Sequence, residues 1–200
     1  MTCHRYAAAV DRIEELRYLV LAAQREGNRR LTEALRPLGV TPAQAEVLTV
    51  LAGSDEPLSV KELGTLLVCE TGSPSRLTQT VVAAGWADQV RDEADGRLTR
   101  LRLTPSGTEL ARGVAEVEAS FHAQLRAALR ADEDTERTVA VLRALVADGP
   151  AGAAIERRRA RAAARRGPDA TPAAGSSDRG RTDGRAGRSP ALACTRGGQG

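Results

Sequence analysis

Hydrophobic residues recur every three or four positions along most of this chain, but between residues 98 and 103 they alternate. Thr99, Leu101 and Leu103 fall on one side of an extended backbone there, and Leu98, Arg100 and Arg102 on the other. The alternation predicts a strand with two guanidinium groups turned away from the core. Residues Trp86 to Arg91 can pair with it antiparallel. The connection Asp92-Glu93-Ala94-Asp95-Gly96-Arg97 is short, polar and carries a turn-forming Asp-Gly. One hairpin set among helices makes the expected fold class mostly α with a small β-hairpin wing.

The helices announce themselves by caps. Val10, Ile13, Leu16, Leu19, Val20, Leu31 and Leu35 keep a helical period, interrupted by the polar stretch Gln24 to Arg30 with Gly27, which predicts one long helix with a bend there. Thr41-Pro42 supplies an N-cap and a first-turn proline for a short helix ending at Gly53. Ser59 and Glu62 form a capping box, opening a third helix to about Cys69. Ser73-Pro74 repeats the cap-plus-proline signal for a fourth, and Gly85 suits its left-handed terminus. After the hairpin, Thr104-Pro105 caps a long helix with a stripe from Leu110 to Leu129, and Asp132 opens a last one ending at Gly149-Pro150.

Charge divides the chain where the periodicity fades. Residues 149–200 hold eleven Arg, no Lys and four acids, a net +7 that leaves −4 on residues 1–148, because the whole chain is +3. The expected organisation is a domain over 1–148 and a disordered Arg/Ala/Gly-rich basic tail over 149–200, in which Glu156 to Arg166 forms at most a transient helix. No apolar run approaches the ~20 residues of a membrane span, and no signal-peptide core is present, so no membrane partner and a cytoplasmic location are expected. Three widely spaced Cys and two His contain no metal-ligand spacing. No metal, no cofactor and no catalytic residues are assigned: a phosphate-binding glycine loop and a nucleophile with a usable base are both absent from the sequence.

A capped helix, a turn, a second capped helix and a hairpin are the ingredients of a winged helix-turn-helix, expected over about 41–103. The fourth helix carries Ser73, Ser75, Arg76, Gln79 and Thr80 along its first turns. Amide donors at a helix N-terminus attract phosphate, Gln pairs with adenine in bidentate fashion, and Arg pairs with guanine or phosphate. Arg97 at the hairpin tip is placed to enter a neighbouring minor groove, and Lys61 adds a cation on the preceding helix. Across residues 57–103 the six cations are matched by six acids, so binding double-stranded DNA requires the cations to face one way.

Leu58-Ser59-Val60-Lys61-Glu62-Leu63, Ser75-Arg76-Leu77, Ala84-Gly85-Trp86, Asp95-Gly96-Arg97 and Leu103-Thr104-Pro105-Ser106-Gly107 together resemble, in order and spacing, the signatures of the MarR family of bacterial transcription regulators. The resemblance covers about residues 8–147. It implies a homodimer held by helices at about 8–36 and 105–148. It also implies a pseudo-palindromic operator and, usually, repression relieved by a small-molecule effector or an oxidant. Ser75 and Arg76 match the family's recognition-helix Ser-Arg, and Asp95 with Arg97 matches its wing motif, where the Asp supports the Arg. Gln89 and Gly96 stand where the family often has Arg.

Each candidate has a plainer alternative. Arg76 and Arg97 can be ordinary ion-paired residues, Ser73, Ser75 and Lys61 caps and surface, and Arg100 and Arg102 a solvated strand face. Cys69, just ahead of the fourth helix, and Cys3 are the redox candidates, against a small buried residue and a frayed terminus respectively. The tail is a DNA tether or an inert extension. The alternative function is a winged-helix module that docks a protein and has no operator of its own.

Overall fold

The computed structural model describes residues 11–68, 73–92, 95, 98–129 and 132–166. Helix α1 (Arg12–Leu35) opens at Asp11, whose carboxylate accepts the Ile13 N–H at 3.3 Å. It runs as one continuous helix through the polar stretch Gln24 to Arg30, as the helical period implies. Glu26, Arg29, Arg30 and Glu33 form ion pairs three and four residues apart there, and Gly27 lies beside the Phe121 ring. The break in hydrophobicity is a solvated helix face.

Helix α2 (Pro42–Ala52) begins with a complete capping box: Thr41 Oγ1 accepts the Gln44 N–H at 3.3 Å while Gln44 Oε1 accepts the Thr41 N–H at 3.0 Å. Strand β1 (Leu58–Ser59) leads into helix α3 (Val60–Gly64), where Ser59 and Glu62 make the second such box at 2.8 and 3.2 Å. The helix is shorter than the sequence suggests. Thr65 folds its hydroxyl onto the Glu62 carbonyl at 2.7 Å, and Leu66 and Leu67 are buried in the turn that follows. Their apolar side chains extend the helical pattern in the sequence without extending the helix.

Helix α4 (Pro74–Ala83) ends in a Schellman motif. Gly85 at φ +74° donates to Val82 O at 2.9 Å, and Trp86 N–H reaches Val81 O at 3.1 Å. Strands β2 (Ala87–Arg91) and β3 (Thr99–Leu103) pair antiparallel, with Asp88 opposite Arg102 and Arg91 opposite Thr99. The hairpin is part of a three-stranded sheet, order β1-β3-β2, in which Leu58 pairs with Leu101. A two-residue strand is too short to show a period, so only the fold reveals it.

Helix α5 (Pro105–Ala128) is docked onto the end of α4 by polar contacts. Thr104 Oγ1 accepts the Gly107 N–H at 3.0 Å and donates to Gly85 O at 2.7 Å, and Ser106 Oγ also donates to Gly85 O. A Cβ on Gly107 would lie 1.8 Å from Trp86 O, so this crossing admits only glycine. The motifs Ala84-Gly85-Trp86 and Thr104-Pro105-Ser106-Gly107 are therefore two halves of one joint.

Leu35, Val47, Leu48, Leu63, Val81, Leu101 and Val114 fill one core drawn from α1 through α5. Helix α6 (Asp132–Val146) buries none of its residues. Ile13, Leu16 and Leu19 of α1 and Leu142 and Leu145 of α6 are exposed.

The largest departure is at the C-terminal side. Disorder was expected from residue 149, yet Pro150–Arg166 forms a further helix, α7, and the compact unit extends to Arg165. Alanine gives the segment high helix propensity, and its arginines have partners on the body, which periodicity of apolar residues cannot reveal. Residues 167–200, the rest of the expected tail, lie outside the described residues. No described helix is long and apolar enough to cross a membrane.

Candidate nucleic-acid interface

Helix α4 has two unlike sides because its sequence alternates them at helical spacing. Leu77, Thr78 and Val81 face the core. Ser75, Arg76, Gln79 and Thr80 lie on the opposite side and are all exposed, the pairs 75/79 and 76/80 each one turn apart. Arg76 has no acidic partner within ion-pair distance among the described residues, so its guanidinium faces solvent. Ser73 occupies the N-cap position, but its hydroxyl makes no capping bond and is exposed. Lys61 is exposed on α3.

Thr80 is less free than its sequence suggests. Its hydroxyl donates to Leu77 O at 2.8 Å and accepts from Gln44 Nε2 at 3.4 Å. Because Gln44 also closes the α2 capping box, the start of α2 and the middle of α4 share one side chain. Nothing in the sequence marks Gln44 for this second contact, since the partners are 36 residues apart.

The wing is anchored by a pair the sequence left on a solvated face. Asp92 Oδ2 binds Arg100 Nε directly, and Asp92 Oδ1 accepts the Asp95 N–H at 2.9 Å. Arg100 Nη1 continues to Glu62 Oε2 at 3.0 Å and Pro57 O at 3.1 Å. Asp92 N–H donates to Leu98 O at 2.9 Å and Leu98 N–H to Asp95 O at 2.8 Å, closing the hairpin end around the tip. One guanidinium thus joins the wing turn, the entry to β1 and the cap of α3. The Asp92 hydrogen bond raises the Arg100 pKa above its ordinary value. Glu62 sits below the usual carboxylate range, first because the Ser59 N–H and hydroxyl bind it, then through the charges of Arg100 and Arg161.

This cluster answers the charge problem posed by the sequence. Asp92 and Glu62 turn toward Arg100, and Asp88 stands across the ladder from Arg102. Asp92 and Glu62 are thereby engaged at the base of the wing, while Lys61 and Arg76 are exposed. Asp95 is exposed at the turn. Arg97, Cys69 and Cys3 lie outside the described residues.

Residues 40–107 match the family described as the winged helix DNA-binding domain. Over 118 residues the chain is 28% identical to the multiple antibiotic resistance protein MarR of Escherichia coli (strain K12), spanning 58% of this chain and 80% of that protein. The fold is similar to that of MepR from S. aureus in a complex with DNA, with TM-score 0.60 and 20% identity, over 65% of this chain and 95% of the other. It is also similar to a mutant MarR from E. coli complexed with operator DNA, with TM-score 0.59 and 23% identity, over 70% of this chain and 99% of the other.

Proposed function

We propose that this chain is a winged helix-turn-helix regulator of the MarR family and acts in the cytoplasm as a homodimer, a reading supported by its likeness to the winged helix DNA-binding domain and to MarR. It binds a pseudo-palindromic double-stranded DNA operator as a repressor, and a small ligand or an oxidant releases it. The observation that carries the reading is the exposed polar side of α4, where Ser75, Arg76, Gln79 and Thr80 stand clear of the core on a helix that enters it only through its other side. Such a surface fits the major groove: Gln79 reads an adenine edge, Arg76 a guanine or a phosphate, and Ser73 and Ser75 hold the backbone. Lys61 adds a phosphate contact from α3, and Arg97, supported by Asp95, reaches the minor groove from the wing. Relatives of the same fold have been captured with DNA, which supports this assignment. Dimerisation is supported by the uncovered apolar side chains of α1 and α6.

The test is a genomic binding selection with purified protein at ~0.15 M salt, followed by the salt dependence of the best site. An inverted repeat with half-sites about one helical turn apart is the expected result. Weak binding indifferent to sequence would overturn the operator and leave the winged fold as a scaffold for a protein partner.

A further inference from the structure

Arg157, Arg158, Arg161 and Arg165 leave α7 from the same side, being one, three and four residues apart. All four end on α2, α3 or the turns that follow them. Arg157 Nη1 donates to Thr65 O at 3.3 Å and Arg161 Nη2 to Ser54 Oγ at 3.2 Å. Arg165 reaches Gly53 O and Asp55 Oδ1, the latter at 2.9 Å. Arg158 Nη1 lies 3.1 Å from Glu46 Oε1. The start of the helix is held separately: Ala154 is buried, and Glu156 pairs with Arg143 of α6 at 3.3 Å.

Between the arginine stems and α2 there remains a cavity of about 340 Å³, bounded by Thr49, Val50, Leu66, Arg158, Arg161 and Ala162. Guanidinium groups make the polar contacts around this gap. Long planar forks suit such bridging, because each holds two acceptors in fixed directions.

Glu46 gives the contact a consequence beyond docking. Its side chain is 7% exposed, and the same Oε1 that meets Arg158 accepts the Val68 N–H at 2.8 Å. Val68 lies in the turn after α3, five residues ahead of Ser73, which opens α4. A single carboxylate oxygen therefore links the C-terminal helix to the turn after α3. We propose that α7 is a brace in cis for the helix-turn-helix, and that Arg158, acting through Glu46, is a positioning residue for the approach to α4. Removing Arg158 takes a cation from this buried carboxylate and one of the contacts that fix the oxygen bonded to Val68, which loosens that bond. Only the predicted effect on DNA rests on the DNA-binding reading.

The experiment is residue-resolved hydrogen exchange on the full chain. Arg158→Ala is expected to speed exchange at Val68 about tenfold while the amide of Val114, in the core of α5, keeps its rate. Arg159→Ala, which removes an arginine from the far side of α7, is expected to leave Val68 as in the wild type. Arg158→Lys keeps the charge without the fork and is expected to fall between wild type and Ala; it carries the test if the Ala variant does not fold. In a Glu46→Gln background the effect of Arg158→Ala is expected to shrink, because the charge it served is gone. An unchanged Val68 rate in Arg158→Ala, or an equal acceleration in Arg159→Ala, overturns the proposal. At the selected operator, Arg158→Ala is expected to lower specific affinity severalfold and affinity for random DNA less. Faster Val68 exchange in a chain that binds no DNA leaves the brace standing and removes only the DNA-binding reading.

Discussion

At the base of the wing a carboxylate 7% exposed faces a guanidinium 30% exposed, and that asymmetry sets what each substitution does. Asp92→Ala leaves Arg100 with Glu62 and Pro57 O but removes the carboxylate that accepts the Asp95 N–H, and is expected to cost roughly 2 to 3 kcal/mol in urea unfolding. A loss under ~0.5 kcal/mol would make the pair a surface contact. Arg97→Ala is expected to weaken operator binding and to lower the salt slope by about one, as read in a salt titration of affinity. Gln79 differs because it projects from a helix whose other side is locked in the core. Gln79→Ala should lose ~1 to 3 kcal/mol at one base pair and little on random DNA, and equal losses on both would refute base reading.

The short element α3 depends on its cap more than a long helix would, since a single turn makes few bonds of its own. Ser59→Ala should cost about 1 kcal/mol, measured by chemical denaturation. Glu62 adds a pH dependence whose sign follows from its lowered pKa. Its contribution is complete above the ordinary 4.5 and is lost as pH falls below that value through the folded pKa. Glu62→Gln can still cap, so its unfolding free energy should fall less steeply below pH 4.5 than that of the wild type. Parallel acid limbs would show that Glu62 is not coupled to folding. Helix α5 illustrates the opposite case, an element set by its neighbour: Thr104, Ser106 and Gly107 fit the end of α4, and the crossing leaves no room for a side chain.

For the molecule as a whole, apolar side chains on α1 and α6 remain in water, Ile13 at 70% and Leu145 at 62% exposure. Leu19→Glu combined with Leu145→Glu is expected to shift a dimer to monomer at micromolar concentration in sedimentation equilibrium, leaving the winged core folded. A wild-type chain already monomeric there would overturn the homodimer. The basic excess also changes meaning at this scale, because Arg157, Arg158, Arg161 and Arg165 bind the chain's own body and are not free to meet DNA. What the sequence by itself determined is local: caps at Thr41, Ser59 and Thr104, the glycine that ends α4, the alternation of β3 and the polar side of α4 all follow from chemistry within a few residues. Tertiary structure decided everything that needed partners far along the chain. Arg100 meets Glu62 across 38 residues, Gln44 meets Thr80 across 36, and Arg165 meets Asp55 across 110. A charged or amide group carries no mark in sequence of which distant acceptor it will find. Its role is set only when folding brings the two within hydrogen-bond reach and removes the water between them.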